Sequence, residues 1–215
     1  DLYSYNVSYY LRCTKQKEII VILICRHGQT KWNLENRKQG WLDSELTELG
    51  KSQASAIKFG LKTFCREKEF KVICSPLGRV KSTAKIALSD ANYPSEITYD
   101  DRLKEHGFGT WEGLNLEEIE ERFPGMQDQR EKDCWNFKLP EGESYAVLES
   151  RLTSFLQSID KSQDIILFCH EMVSKTLRKI LLGLTENQTI NLTHDQFSFF
   201  VIDNKKVHQY NCNPH

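Results

Sequence analysis

The sequence predicts a three-layer α/β/α sandwich built on a mostly parallel central sheet. Three observations carry that prediction. Two continuous apolar runs, IIVILIC at 19–25 and IILFC at 165–169, have the length and branched composition of strands buried on both faces. Stretches with helical spacing alternate with the strand candidates, as crossovers between parallel strands require. No internal repeat or interdomain linker divides the 215 residues, a length that suits one domain with a substantial core.

Residues 1–18 are polar and tyrosine-rich without a clear period, and read as an extension to a domain over 19–215. After the first apolar run, Thr47 is placed to cap a helix that carries Leu49, Ala54, Ala56, Ile57 and Leu61 to about Lys68. Lys71 to Cys74 is a short strand. The turn SPLG at 75–78 leads into a helix from about Arg79 to Leu88, and Ile97 to Tyr99 is a weak strand. Asn115 followed by Glu118 predicts a helix start, and that helix stops before Pro124-Gly125. A further helix runs from Ser144 to about Ile159 on Val147, Leu148, Leu152, Phe155 and Leu156. Asp164 opens the second apolar run, and His170 and a helix to Leu182, ended by Gly183, follow it. Phe197–Ile202 and Val207–Tyr210, joined by Asp203-Asn204, close the chain as a hairpin.

Composition narrows the function. With 39% hydrophobic and 11% aromatic residues, disorder over most of the chain is excluded. A formal net charge of −1 supplies no global basic field, so neither nucleic acid nor an anionic membrane is an expected partner. An anionic substrate must then be held by a local cluster of positive charge. None of the seven cysteines form a C-x-x-C pair, which leaves zinc and thioredoxin-like chemistry without support. Cys25 and Cys169, each ending an apolar run, read as reduced packing residues, and the expected compartment is the cytoplasm. The early apolar run is too short for a secretory signal, so the sequons at Asn6, Asn187 and Asn191 read as chance matches. The start at Asp1 instead of Met points to a missing or processed N-terminus.

Two buried strands end alike, in ILIC-Arg26-His27 and LFC-His170. Ligands of open α/β sheets bind at the carboxyl ends of the strands, which is where both histidines fall. One such histidine is ordinarily a satisfied polar residue; two at matched positions, one beside an arginine, change the odds. Arg79 begins the helix after the strand 71–74, Glu105 follows the strand at 97–99, and Asn33 lies in the loop after His27. Arginine forks match phosphate oxygens, and a helix N-terminus adds backbone donors, so the set suits a phosphoryl group.

These residues lie in blocks that resemble the histidine phosphatase superfamily, which includes cofactor-dependent phosphoglycerate mutase. The blocks are RHGQTKWN (26–33), NRKQGWLDSELTELG (36–50), SPLGRVKSTA (75–84), KEHGFGTWEG (104–113), PEGES (140–144) and FCH (168–170). They follow the family's order over roughly 19–210; Arg-His-Gly alone would be weak, and the ordered set is strong. The resemblance implies a phosphohistidine intermediate on His27, with Arg26, Arg79 and His170 around the phosphoryl oxygens. It implies Glu105 as proton donor to the leaving oxygen, Asn33 as a further phosphate donor, and Gln39 and Thr30 on the substrate side. The nucleophile must be neutral, so its other ring nitrogen is expected to donate, to a backbone carbonyl by preference. No metal or cofactor is implied, and the chain offers no carboxylate cluster of the kind magnesium prefers.

Two positions depart from the family. Glu171 stands where relatives carry a small residue, and it would repel a dianion unless it points away or pairs with a cation such as Lys175. His106 stands where the mutases carry an arginine that grips the substrate carboxylate. The mutases also carry an insertion with an adjacent arginine pair, and the stretch 114–139 holds no such pair. FGTWEGLNLEEIE resembles the phosphatase branch, such as α-ribazole and broad-specificity phosphatases, so net hydrolysis of a small phosphorylated metabolite is expected. The alternatives are phosphoglycerate mutase activity and a non-catalytic member that binds a phosphorylated ligand or a protein. Residues 107–140 are expected to cap the pocket, with most of their aromatic rings in the core. The physiological substrate stays open, as does the oligomeric state, a homodimer included.

Overall fold

The computed structural model describes residues 20–66, 68–89 and 96–212; the extension at 1–18 lies outside them. Six strands form one sheet: β1 (Ile22–Arg26), β2 (Phe70–Cys74), β3 (Ile97–Tyr99), β4 (Asp164–Cys169), β5 (Ser198–Asp203) and β6 (Lys206–Asn211), in the order β3-β2-β4-β1-β5-β6. The first four in that order run parallel, while β5 is antiparallel to β1 and β6 to β5. The sheet is therefore mostly parallel with an antiparallel edge.

Alternation along β1 and β4 sorts their side chains into two cores. Ile22, Ile24, Ile165 and Leu167 pack on one face with Leu148, Leu152 and Phe155 of α6 (Tyr145–Ser158) and Val173 and Leu177 of α7 (Glu171–Leu182). Leu23, Cys25, Ile166 and Phe168 pack on the other with Ile57 and Leu61 of α2 (Glu48–Cys65) and Val80 and Ala84 of α3 (Gly78–Ala87). Strands apolar at every position are the sequence signature of burial on both sides, and here both sides carry helices. Cys25 and Cys169 are fully buried free thiols within these cores.

The long helices begin where their caps predict: Thr47 accepts from Gly50 N, Ser144 from Val147 N, and α7 ends at Gly183 with φ 72°. Two apolar residues of the predicted inward stripes are instead exposed, Leu49 at 46% and Val147 at 42%. Each lies in the first turn, one residue off the face that Gly50 and Leu148 bury. Three further helices lack a sequence period because each is less than two turns long: α1 (Lys31–Leu34), α5 (Met126–Lys132) and α8 (Glu186–Ile190). Capping boxes at Thr30/Asn33 and Thr185/Gln188 start α1 and α8, and the same device at Asn115/Glu118 starts α4 (Leu116–Arg122). A third apolar cluster, around Phe108, Trp111, Leu114, Ile119 and Leu139, consolidates the segment over the strand ends.

Two glycines let α2 dock against the loop after β1. A Cβ on Gly50 would lie 2.1 Å from the Gln29 carbonyl oxygen, and one on Gly28 2.2 Å from that of Gly50. Both obstacles are backbone, which cannot rotate away. Ordinarily Gly→Ala inside a helix stabilises by about 0.5–1 kcal/mol. Here Gly50→Ala is expected to destabilise by about 3 kcal/mol, as overpacking does. A urea midpoint at or above that of the unsubstituted protein would contradict it.

Candidate active site

Parallel pairing of β1 and β4 in register Arg26↔Cys169 brings the two strand-end histidines together. The His27 N–H donates to Cys169 O at 3.1 Å, and the two imidazoles meet edge to face, ring centres 5.2 Å apart. His27 Nδ1 lies 2.8 Å from Gly28 O. A carbonyl can only accept, so Nδ1 carries the hydrogen and a neutral ring keeps its lone pair on Nε2. His170 Nε2 bonds Ser75 Oγ at 2.8 Å, and its Nδ1 is buried without a partner. Burial, then the charges of Arg79 and Arg26, hold His27 well below the usual imidazole range; burial, Arg79 and His27 do the same to His170.

Both predicted arginines are anchored by protein acceptors. Arg26 donates Nη1 to His194 O at 2.7 Å and pairs Nη2 with Glu171 at 2.8 Å. Arg79 donates Nη1 to Leu42 O and Asp43 Oδ1, at 2.7 and 2.9 Å, and Nη2 to Gly40 O at 2.8 Å. In each, Nε is buried with no partner. Two buried donors, the Nε atoms of Arg26 and Arg79, are therefore unanswered, together with His170 Nδ1, whose role depends on which way the Ser75 hydroxyl is turned. The backbone donors at the start of α3 are not part of this set, because Asp43 accepts from both Gly78 N and Arg79 N.

Glu105 is held by its surroundings. Its Oε1 accepts from His106 N at 2.9 Å and Oε2 from Met172 N, in the first turn of α7, at 3.5 Å. Glu143 and Arg151 clamp the segment behind it: Glu143 accepts from Gly107 N at 2.9 Å, and Arg151 donates to Glu105 O at 2.8 Å. Burial raises the Glu105 pKa, against the pull of the His106 N–H and Arg79.

Arg26, His27, Asn33, Gln39, Arg79 and Glu105 line one cavity of about 630 Å³, whereas His170 is fully buried and is not on its wall. Asn33 both lines it and caps α1, its Oδ1 accepting from Thr30 N at 3.1 Å. Gln39 Oε1 is buried and unpartnered. Thr30 is not on the wall: it is fully buried, and its hydroxyl accepts from Asn33 N. Glu171 does line the cavity, but as one partner of Arg26 and, at 3.7 Å, of Lys175. His106 turns away into the core, 5.0 Å from the Phe108 ring and 5.6 Å from that of Tyr145.

Sequence reasoning missed Gln196, which lines the cavity and donates to His27 O at 3.2 Å and Asn33 Oδ1 at 3.4 Å. It also missed Ser75, Asp43 and Tyr145. Ser75 was findable, since it immediately follows β2 as His27 follows β1. Gln196 was not, because its place depends on β5 pairing antiparallel with β1, which sets the entry of one strand beside the exit of the other. Among the described residues no group of three or more His, Cys, Asp or Glu is arranged to hold a metal ion, and no helix is long and apolar enough to cross a membrane.

An α/β sheet with two histidines, two arginines and a carboxyl group at its strand ends defines an enzyme of phosphoryl chemistry. The profile of the histidine phosphatase superfamily (branch 1) matches residues 22–210, and the chain belongs to that family, among the phosphoric monoester hydrolases. It is 28% identical over 187 residues to phosphoserine phosphatase 1 of Hydrogenobacter thermophilus, covering 86% of each chain. It is 31% identical over 172 residues to an Escherichia coli protein named "Probable phosphoglycerate mutase GpmB", covering 77% of this chain and 76% of that one. Among solved structures, the α-ribazole phosphatase of Shigella flexneri shares the fold with a TM-score of 0.76 at 23% identity, over 89% of this chain and 95% of that one. The mycobacterial glucosyl-3-phosphoglycerate phosphatase superposes with a TM-score of 0.71 at 26% identity, over 86% and 90%.

Proposed function

We propose that the protein hydrolyses the phosphomonoester of a small metabolite through a phosphohistidine on Nε2 of His27. The observation that carries this reading is the Nδ1–Gly28 carbonyl bond, which leaves the Nε2 lone pair available on a cavity wall shared with Arg26 and Arg79, whose buried Nε donors have no partner. In the first half-reaction Nε2 forms a bond to phosphorus as the ester P–O bond breaks. The leaving oxygen takes its electron pair and a proton from Glu105. In the second, the Glu105 carboxylate takes a proton from water as the water oxygen bonds phosphorus and the N–P bond breaks. Inorganic phosphate leaves and His27 is neutral again. Arg26, Arg79 and His170 would hold the equatorial oxygens throughout, donating to charge as it spreads. Asn33 and Gln39 would contribute from the cavity wall. Thr30 acts through Asn33, whose position it caps.

Incubation with p-nitrophenyl phosphate and, separately, with 3-phosphoglycerate plus 2,3-bisphosphoglycerate tests the reading. Release of inorganic phosphate is expected; interconversion of phosphoglycerates without release would replace hydrolysis with transfer. The absence of both would leave a binding protein.

The pH profile follows from two directions. The active form needs Glu105 protonated, with its pKa raised, and His27 neutral, with its pKa lowered. Activity on an alkyl phosphate is therefore expected to fall as pH rises through the Glu105 ionisation. Glu105→Gln should lower kcat on that substrate by about 10²–10⁴-fold and remove the alkaline fall. With p-nitrophenyl phosphate, whose leaving group needs no proton, the loss should be much smaller. Equal losses on both substrates would remove Glu105 from the proton-donor role.

A further inference from the structure

The cavity is larger than a phosphoryl group needs and has the volume of a whole metabolite site. Its wall carries six cations: Arg26, Arg37, Lys38, Arg79, Arg130 and Lys175. Four are answered by carboxylates. Arg26 and Lys175 share Glu171, Arg37 pairs with Glu35 and Glu118, and Arg79 pairs with Asp43. Lys38 and Arg130 have no carboxylate within ion-pair distance among the described residues.

Neither is a stray surface charge. Both are half-buried. The Lys38 backbone is pinned to the segment before α4, its N–H donating to Leu114 O at 2.9 Å and its carbonyl accepting from Gly113 N at 2.8 Å. Its ammonium lies 5.7 Å from the centre of the Phe108 ring, another wall residue, and Arg130 projects from α5 to the same cavity. Burial, then the charge of Arg130, push the Lys38 ammonium pKa down, against a weaker opposing pull from Glu171 across the cavity wall. Two half-buried like charges facing one cavity repel each other, and an anion between them relieves both.

We propose that Lys38 and Arg130 bind a second anionic group of the substrate, so that preferred substrates are phosphomonoesters carrying a carboxylate or a second phosphate. This rests on the phosphomonoester reading above, which anchors the first phosphoryl group at His27. The two cations then set which esters are chosen, and the groups around His27 act on all of them.

Two matched pairs test it. 3-Phosphoglycerate differs from glycerol 3-phosphate by a carboxylate in place of a hydroxymethyl group, and fructose 1,6-bisphosphate differs from fructose 6-phosphate by a second phosphate. In at least one pair the doubly anionic member is expected to have a kcat/KM higher by about 10–100-fold, the worth of a charge-assisted contact. The pair that shows it tells carboxylate from phosphate. In Lys38→Met and Arg130→Met, which keep the apolar stems, that ratio should fall towards one. Ratios near one in the unsubstituted protein, or equal losses for both members of a pair in the variants, would overturn the proposal. Phosphate release from p-nitrophenyl phosphate, followed in parallel, reports on the hydrolase reading by itself. If nothing is turned over, the same ratios read as Kd by calorimetry decide the proposal, because binding of the second anion does not require turnover.

Discussion

Replacing His27 with alanine is expected to abolish phosphate release, with kcat falling by about 10³-fold or more, because the proposed covalent step would then lack its nucleophile. The ring is positioned by the bond from Nδ1 to Gly28 O, and among the described residues His27 is the one histidine on the cavity wall. His170, 5.2 Å away between ring centres, is fully buried and bonded through Nε2 to Ser75. Since alanine leaves a small void in a buried site, His27→Gln serves as the second variant, close to the original volume. Both should bind a phosphomonoester without turning it over. A complementary measurement uses radioactive phosphate: label transferred to the unsubstituted protein should survive alkali and be lost in acid, as an N–P bond is. Retained activity in both variants would sink the phosphohistidine mechanism.

Acid should unfold this protein abruptly. His27, His106, His170 and His194 are all buried, and burial is the first cause that lowers the pKa of each, to about 3 for His106 and His194. In the unfolded chain they titrate near 6.5. Below that pH the unfolded chain takes up to four protons that the native chain refuses, so stability falls as pH falls. Glu105 works in the opposite sense by up to one proton, because its raised native pKa makes folding take up a proton above its unfolded pKa. The net of about three protons gives a slope of about 4 kcal/mol per pH unit. Against a typical total of about 5–15 kcal/mol, that exhausts the native state within a few units below pH 6.5. Urea midpoints should be nearly flat above pH 7 and drop steeply between pH 6 and 5. Replacing His106, which packs between Phe108 and Tyr145 outside the reaction path, with phenylalanine should remove one proton from the slope. A midpoint equal at pH 7.5 and 5 would show the histidines titrating normally.

That acid limit bears on catalysis. On the proposed mechanism, acid keeps Glu105 protonated for the first half-reaction, while the buried histidines destabilise the fold in the same direction. The proposed mechanism therefore predicts a working range bounded below by unfolding and above by loss of the Glu105 proton.

Much of the architecture was legible in local pattern. Ile22–Arg26 and Asp164–Cys169 could be assigned because a strand with a helix layer on each face needs an apolar residue at every position. Thr47, Asn115, Ser144 and Gly183 marked helix ends because capping is chemistry within a few residues. The residues at strand ends, His27, Arg79, Glu105 and His170, were legible for a topological reason: in an open sheet the carboxyl ends of parallel strands share one edge.

The amino-acid sequence by itself thus determined the layers, the site's location and the chemical types gathered there. Tertiary structure alone decided how each residue is used. Glu171 is chemically free to repel a phosphate, and only its approach to Arg26, 2.8 Å away and 145 positions earlier in the chain, turns it into a partner. Thr30 left the candidate site to cap a helix, and Gln196 entered it through the antiparallel pairing of β5 with β1. Charge, hydrogen bonding and burial act at a few ångströms, and those distances are set by packing between residues that the sequence holds far apart.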